Sequence, residues 1–325
     1  MHPNFNLYTA DAVQQALSFL VRQGTYIEAQ VARIRYPEIQ YPQLIPVDTS
    51  ANEWAKSITY FSMDKAGQAA WFNHMSTDMR LADVVREKHE QTVEMAGIGY
   101  RYTLEELGQA MMVPGTNLTS EKAEAARRAY EEFVDGVAMT GDTSRNMTGL
   151  INDAAVTQAD AAYSGTGNSP AWSDKTAEQI LTDVNDALTG IYTSTLTVEM
   201  ADTVLLPIAA MTQIATKQMP NTTMTVLQWI QQNNVFTALT GQPITIRAVR
   251  GLETAGENGT GRMVAYRRDP SVVKLHIPMP HRFLPVWQRG PLIFDVPGIF
   301  RIAGVEIRRP KAVRYVDHIL DTAYE

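Results

Sequence analysis

The sequence predicts an α+β protein in which helices and strands are partly segregated along the chain. One long amphipathic helix is predicted over residues 119–140. Helices and strands then alternate over residues 154–252, as they do in a compact α/β lobe. Residues 262–325 read almost entirely as strand and turn, with short apolar runs separated by prolines. With 325 residues, 45% of them hydrophobic, the chain is long enough to bury a sizeable core.

The overall composition excludes several classes of protein. The chain has no cysteine, so disulfides, thiolate metal sites and cysteine nucleophiles are ruled out. A formal net charge of −7 argues against a dedicated nucleic-acid binder, whose affinity comes mainly from neutralising phosphates. Neither a signal peptide nor an apolar run long enough for a membrane helix is recognisable. We therefore expect a soluble protein made in the cytosol.

The N-terminal part is predicted to contain a short helix and then an extended segment. Residues 10–23 put their apolar side chains on one stripe, which predicts a helix docked on the body of the fold or on a neighbouring subunit. Pro37, Pro42 and Pro46 disfavour a regular helix over residues 36–48. We interpret residues 36–48 as an arm that reaches out and packs on another surface.

A long two-stranded hairpin is predicted next. Residues 53–63 have strand character, and residues 81–102 are largely extended with partial alternation. Residues 64–80, between them, show no clear period and are predicted to form an irregular tip. Residues 103–112 then predict a short helix with Thr103 as its N-cap.

The long helix over residues 119–140 is amphipathic. Its apolar face consists of Ala123, Ala126, Tyr130, Phe133, Val134 and Val137, which recur at three- and four-residue steps. Its polar face consists of Arg127, Arg128, Glu131, Glu132 and Asp135. Thr119 or Ser120 can cap the start. Gly141 offers the left-handed position at which helices commonly end.

The lobe over residues 154–252 is predicted from its alternating elements. These are a loop over 154–174, helices over 176–190 and 223–236, strands over 203–206 and 243–250, and a helix beginning at Pro207, a residue well placed in a first turn. Asn258 and Gly259 then predict a hairpin-type loop within residues 253–261.

No motif in the chain carries recognisable catalytic or ligand-binding chemistry. The six histidines are scattered, and only His276 and His281 lie close in sequence. Residues 256–261 are glycine-rich, but no Gly-Lys-Ser/Thr follows, so we predict a turn rather than a phosphate site. Gly97 and Gly99 predict a bulge or a close backbone approach. The asparagines of four Asn-x-Ser/Thr matches, at 117, 146, 221 and 258, are interpreted as chance matches or turn residues. We predict no catalytic, cofactor-binding or metal-binding residues and no cofactor.

The long helix and the turn after it resemble those of one protein family. A helix ending at Gly141-Asp142, then a polar turn, then Gly149-Leu150-Ile151-Asn152, resembles the spine helix of tailed-phage major capsid proteins with the HK97-like fold. The order of elements on both sides is also similar. The resemblance implies an N-terminal arm (1–50), an extended E-loop hairpin (51–100), a peripheral domain (101–153 and 253–325) with the spine helix at 119–140, and an axial domain (154–252).

The resemblance also implies a function. The chain would self-assemble into pentamers and hexamers of an icosahedral head shell around double-stranded DNA, in the virion, after assembly in the host cytoplasm. Scaffolding, portal and decoration proteins would be further partners; contact with the packaged DNA would be weak and non-specific, and no membrane is involved. Some members crosslink an E-loop lysine to a neighbour's asparagine, and Lys56 and Lys65 lie in this region. An encapsulin-type nanocompartment that packages a cargo enzyme, and a soluble α/β enzyme, are the alternatives.

Overall fold

The computed structural model describes residues 36–66, 82–106 and 118–321. The chain divides into two units, residues 1–38 and 39–325, and the elements described here belong to the second. The predicted helix over 10–23 and nearly all of the predicted tip over 64–80 lie outside the described residues, as does most of the predicted helix over 103–112.

The elements are as follows. The helices are α1 (Tyr41–Leu44), α2 (Leu118–Thr140), α3 (Ala177–Ser194), α4 (Ile208–Thr216), α5 (Val226–Gln232) and α6 (Val235–Thr240). The first eight strands are β1 (Val47–Asp48), β2 (Ser57–Ala66), β3 (Asp83–Thr92), β4 (Glu94–Gly97), β5 (Tyr100–Thr103), β6 (Thr157–Asp160), β7 (Thr203–Leu206) and β8 (Thr245–Ala248). The other eight are β9 (Gly261–Tyr266), β10 (Val273–His276), β11 (Met279–Phe283), β12 (Trp287–Gly290), β13 (Ile293–Val296), β14 (Gly298–Ile302), β15 (Gly304–Ile307) and β16 (Val313–Leu320).

A five-stranded mixed sheet, in the order β6-β16-β9-β7-β8, separates two hydrophobic cores. In β9, Val264 and Tyr266 belong to the core that also contains one face of α2. Met263 and Ala265 belong to the core formed with the helices α3 to α6. Successive residues of a strand point to opposite faces of its sheet, so the sheet contributes side chains to both cores. This explains why β7 and β9 are buried at every position.

Helix α2 begins at Leu118 and ends at Thr140, close to the predicted bounds. Thr119 and Ser120 therefore lie inside its first turn, and the prediction that one of them is the N-cap is wrong. Gly141, at φ +69°, ends the helix in the left-handed conformation, as predicted. Asn152 then holds the turn, because its Nδ2 donates to the carbonyl of Thr140 at 2.6 Å and its Oδ1 accepts from the Gly149 amide at 2.8 Å.

The buried face of α2 differs in part from the predicted stripe. Tyr130, Val134 and Val137 are buried in the first core, as expected, and the Tyr130 ring packs edge-on against Phe300 with 4.7 Å between ring centres. Phe133, however, is 46% exposed. Successive residues of an α-helix are 100° apart around its axis, so Phe133 lies to one side of the buried face, whose centre is between Tyr130 and Val134. The prediction that the Phe133 ring is buried is therefore wrong.

Residues 154–240 depart from prediction in two places. The predicted loop over 154–174 contains strand β6, which pairs in parallel with β16, and a fully buried Trp172. The strand was not predicted because its residues are small and polar, as they can be in a strand at the edge of a sheet. The predicted helix over 223–236 is two helices, α5 and α6. Asn234 separates them as the N-cap of α6, its Oδ1 accepting from the Thr237 amide at 2.8 Å.

Three small sheets form the rest of the body, in the orders β1-β10-β15, β11-β14-β4 and β12-β13-β5. Gly99 and Gly298 allow the backbones of residues 97–99 and 296–298 to meet: a Cβ on Gly99 would lie 2.3 Å from the Val296 carbonyl oxygen. This confirms the predicted close backbone approach. The predicted hairpin-type loop at Asn258-Gly259 is a turn, but it joins β8 to β9, and β7 lies between those two strands in the sheet.

The proline-containing segment packs on its own chain rather than reaching out over the range that is described. Leu44 and Ile45 are fully buried in the first core. Asp135 on α2 accepts from the amides of Gln40 (3.0 Å) and Tyr41 (2.8 Å). Pro42 sits in the first turn of α1, where its missing N–H costs nothing, so the segment includes one helical turn that the prediction excluded.

Candidate assembly surface

Strands β2 and β3 form a two-stranded antiparallel hairpin, as the sequence predicted, in register from Ser57↔Thr92 to Ala66↔Asp83. Ten residues at about 3.4 Å each make each strand about 34 Å long. Two strands alone are marginally stable in water, so this hairpin depends on other surfaces for support. The body supports its base, and its described outer part has both faces exposed.

The hairpin face that points away from the body is apolar in its centre and charged around it. This outer face consists of Thr59, Phe61, Met63, Val84, Arg86, Lys88 and Glu90, all exposed. Phe61 is 65% and Met63 62% exposed. Lys88 pairs with Glu90 at 2.7 Å. An apolar centre with a polar rim is the composition of a protein–protein contact.

Two groups anchor the base of the hairpin directly to the body. The guanidinium of Arg301 on β14 donates to the carbonyls of Glu53 (3.0 Å) and Val93 (3.2 Å), which precede β2 and follow β3. Gln91 on β3 donates through Nε2 to the carbonyl of Val305 at 3.2 Å. These contacts fix where the hairpin leaves the body, and therefore the direction in which its outer face is presented.

A layer of charged side chains lies beneath the hairpin base, on the face of the β1-β10-β15 sheet that points away from the first core. This polar layer consists of Asp48, Lys274, His276, Glu306 and Arg308. Asp48 on β1 lies 2.9 Å from Lys274 Nζ and 3.7 Å from His276 Nδ1. On the other side of the ring, His276 Nε2 lies 2.5 Å from a Glu306 oxygen.

Arg308 connects this layer to the hairpin. Its Nε lies 3.2 Å from the same Glu306 oxygen, and its guanidinium carbon lies 4.8 Å from the centre of the Tyr60 ring. Tyr60 in turn stacks on His89 across the hairpin, with ring centres 4.7 Å apart. Burial is the main cause that raises the pKa of Tyr60, which therefore stays neutral over Arg308.

The two carboxylates of the layer are held in their charged form. A hydrogen bond from the Ser50 hydroxyl, together with one from Lys274, lowers the pKa of Asp48 well below its usual range, although partial burial acts the other way. Burial opposes ionisation of Glu306, but the hydrogen bond from His276 and the charge of Arg308 outweigh it and lower its pKa.

A second exposed apolar surface lies on the β12–β13 hairpin and the segment leading to it. This corner patch consists of Leu284, Val286, Trp287 and Leu292, with Trp287 62% exposed. Arg101 on β5 fixes the neighbouring strand through a bidentate pair with Asp295 at 2.6 and 3.2 Å. The hairpin outer face and the corner patch are thus two separate exposed surfaces with apolar side chains.

The fully buried ion pairs of the described residues serve the fold. Arg262 on β9 forms a bidentate pair with Asp317 on β16, at 2.6 and 2.8 Å, and also donates to the Ile151 carbonyl. Lys175 pairs with Asp183 at 2.6 Å inside the second core, where burial raises the pKa of Asp183. Each pair is buried with its charges compensated, which suits a structural role.

Within the described residues, the two histidines that lie close in sequence do not form one site: His276 pairs with Glu306, while His281 stacks on Tyr130 with ring centres 5.1 Å apart. Lys56 is exposed at the foot of the hairpin. In the described ranges no three acidic or histidine side chains form a group that could hold a metal.

The asparagines at 146, 221 and 258 have φ between 54° and 59°, so these three are turn residues, as predicted. No helix of the described chain combines the length and the apolar composition that crossing a bilayer requires.

Neither the polar layer nor the corner patch was predicted from the sequence. The polar layer joins residues more than 200 positions apart, such as Asp48 and Lys274, and no local pattern could signal it. The corner patch had a signal, since Val286-Trp287 and Leu292 lie between prolines in a run otherwise interpreted only as strand and turn.

Comparison with known proteins gives one family and a consistent set of folds. The family model described as "Major capsid protein" matches residues 67–319. The capsid of Myoviridae phage XM1 covers 97% of this chain, and the match covers 99% of that chain, at 19% identity and a TM-score of 0.74. A comparison with curated protein sequences finds no match.

Two further solved structures have the same architecture. A chain of Mycobacterium phage Bobi matches over 94% of this chain and 97% of its own, at 14% identity and a TM-score of 0.59. The capsid of an empty GTA particle matches over 96% and 99%, at 11% identity and a TM-score of 0.59. The predicted α+β class and HK97-like fold are therefore confirmed.

Proposed function

Because this chain belongs to the family of major capsid proteins, we propose that copies of it assemble into the icosahedral head shell of a tailed phage around double-stranded DNA. The observation that supports assembly most directly is the outer face of the β2–β3 hairpin, with Phe61 and Met63 exposed. Contiguous exposed apolar surface marks interaction sites. A neighbouring subunit is the surface that would cover it, because a shell surrounds every subunit with copies of itself.

The subunit would be divided as the resemblance implies. We assign residues 1–50 to the arm, 51–100 to the E-loop, 101–153 and 253–325 to the peripheral domain, and 154–252 to the axial domain. Strands β9 and β16 come from the 253–325 stretch and pair with β7 and β6 of the axial stretch. The two domains would therefore share one sheet, which would make them move together as a rigid unit.

The partners follow from the same assignment. Pentamers and hexamers of this chain would be the building units, and scaffolding, portal and decoration proteins would join them. Contact with packaged DNA would be weak and non-specific, in keeping with the net charge of −7. The function would consist of contacts between subunits and would require neither a catalytic step nor a cofactor. The protein would reside in the virion after assembly in the host cytoplasm.

The family match leaves both the nanocompartment and the soluble-enzyme alternatives with less support. If the proposal is right, the protein forms shells or capsomers when it is concentrated.

Phe61→Ser replaces the phenylalanine at the apolar centre of the outer face and changes no buried residue. A buried phenylalanine side chain stabilises a contact by about 1.5–3 kcal/mol, so particle yield should fall at least about tenfold.

The test compares particle counts by electron microscopy with the urea midpoint of the subunit. Phe61→Ser should leave the stability of the subunit within about 0.5 kcal/mol of the parent, because Phe61 is exposed there. Glu87→Gln is the matched control, since Glu87 is exposed on the opposite face of the hairpin and should leave the yield unchanged. A parent protein that stays monomeric by light scattering at all concentrations and salts would overturn the proposed function.

A further inference from the structure

The polar layer connects two parts of the chain that otherwise attach to the body separately. At one end Asp48 belongs to β1, which pairs in parallel with β10. At the other end Arg308 lies under the Tyr60 ring of the hairpin. His276 and Glu306 join the two ends, and their side chains are only 3% and 6% exposed. Every step between β1 and the hairpin is therefore a direct contact between charged or aromatic groups.

The layer is balanced, so the loss of one member changes the others. Two carboxylates face two permanent cations, Lys274 and Arg308, with His276 between them. Removing one partner of a buried charge pair leaves the other uncompensated, which is strongly unfavourable. Without the Asp48 charge, Lys274 and Arg308 compete for the one remaining carboxylate, Glu306. Movement of Glu306 toward Lys274 withdraws it from Arg308, which then no longer holds its position under Tyr60.

The layer also has spare hydrogen-bonding capacity for such a movement. His276 Nδ1 and Glu306 Oε1 are buried and have no hydrogen-bond partner among the described residues. Unpaired buried polar atoms are costly, so these two atoms are available as partners when the loss of a neighbouring charge forces the layer to rearrange. The parent arrangement thus depends on Asp48, which lies 3.7 Å from His276 Nδ1.

We propose that the polar layer is a latch that couples the segment around β1 to the hairpin, so that displacing either one loosens the other. The other hairpin anchors do not involve β1: Arg301 donates to Glu53 and Val93, and Gln91 donates to Val305. They keep the foot of the hairpin in place when the latch opens. The effect of the latch therefore falls on the part of the hairpin around Tyr60 and His89.

Hydrogen exchange of the full-length protein, followed by mass spectrometry, tests the coupling. Asp48→Asn keeps the shape of the side chain and removes its charge. Amides of residues 57–62 and 87–92 should then exchange at least about fivefold faster, the lower end of usual coupling between sites. Glu53→Gln is the control, because Glu53 is in the same stretch and loses only an exposed pair with Arg282. It should leave the exchange of the hairpin unchanged.

Coupling is reciprocal, which gives a second and independent measurement. Tyr60→Leu changes a residue of the hairpin that belongs to neither hydrophobic core, so the variant should still fold. It should speed exchange in peptides covering residues 45–50, whereas Phe61→Leu, on the other face of the same strand, should not. If each substitution speeds exchange only around its own element, the latch is refuted. If Asp48→Asn does not fold, the result for Tyr60→Leu decides alone.

Discussion

Phe133 and Val134 are neighbours on α2, yet the smaller side chain is fully buried and the larger is 46% exposed. The face that enters the first core is centred on Tyr130 and Val134, one turn apart. Tyr130 and Phe133 both pack edge-on against Phe300, but the ring centres are 4.7 Å apart for Tyr130 and 5.6 Å apart for Phe133. Position on the helix therefore decides burial here, and the residue type does not.

Single substitutions on α2 should follow this geometry. Tyr130→Ala should lower the free energy of unfolding by roughly 3–5 kcal/mol, because it removes a buried ring and leaves a cavity. Phe133→Ala should cost only about 1 kcal/mol, the worth of a partly exposed aromatic contact. Urea midpoints of the two variants and the parent measure the difference. Equal losses would mean that the flank of α2 is as buried as its centre.

At the scale of elements, the turn after α2 requires glycine for two separate reasons. Gly141 has φ +69°, and a Cβ there would lie 2.2 Å from the Met147 carbonyl oxygen. Gly167 has a similar φ of +72° but has open space around its Cα. The two positions share the conformational requirement, and only the first adds a steric one.

Alanine substitutions separate these two reasons. Gly167→Ala should cost about 1–2 kcal/mol, the penalty of a left-handed L-residue. Gly141→Ala should cost at least about 2 kcal/mol more, since the backbone of residues 147–149 must move away. Thermal or urea unfolding of both variants gives the comparison. A similar loss of unfolding free energy in both variants would show that the backbone of residues 147–149 can move away from a side chain at position 141 at little cost.

The elements that the sequence predicted well are those with strong local signals. The apolar period and Gly141 locate α2, and Pro207 with its apolar run locates β7 and α4. Elements held by distant partners were missed. Strand β6 is short and polar and exists because β16 pairs with it. The break between α5 and α6 depends on Asn234 acting as a cap, a role that a continuous helical period conceals.

The same reasoning explains what could be predicted of the candidate surface. The hairpin strands were visible as runs of β-forming residues, so the projection could be expected, whereas the exposed apolar centre at Phe61 was not predicted. The anchors could not, because Arg301, His276 and Glu306 look like ordinary strand residues in sequence. Their roles follow from the pairing of β10 with β1 and of β14 with β4, strands far away in the chain, and from the pairing of β15 with β10.

At the scale of the whole molecule, charge pairs join distant stretches, and this makes stability depend on pH. The pKa values of Asp48 and Glu306 are lowered in the folded protein. A carboxylate with a lowered pKa stabilises the fold fully above its unfolded pKa, about 4, and loses that contribution as the pH falls toward its folded pKa. The subunit should therefore lose stability in acid below about pH 4.

Urea midpoints measured between pH 3 and pH 7 check this dependence. The parent should weaken steadily below about pH 4, while Asp48→Asn and Glu306→Gln should start less stable and show a shallower decline. Asp269→Asn is a control outside the polar layer: the pKa of Asp269, like that of Asp48, is lowered first by a hydrogen bond with a serine two positions on, but Lys274 adds to the effect only at Asp48. Asp269→Asn should reduce the decline of stability with falling pH only by the contribution of Asp269 itself. An unchanged slope in both layer variants would mean that other carboxylates govern acid stability.

The interior position of β16 in the five-stranded sheet has a consequence for how a subunit is made. This strand lies between β6 and β9, although it comes latest in the chain among the described elements. Until the ribosome has delivered residues 313–320, the edges of β6 and β9 have no strand between them, and neither core can close. Because β16 contributes Tyr315 to the first core and Ile319 to the second, both cores are completed only when this strand has been made. The last of the described strands thus finishes the packing on both faces of the sheet.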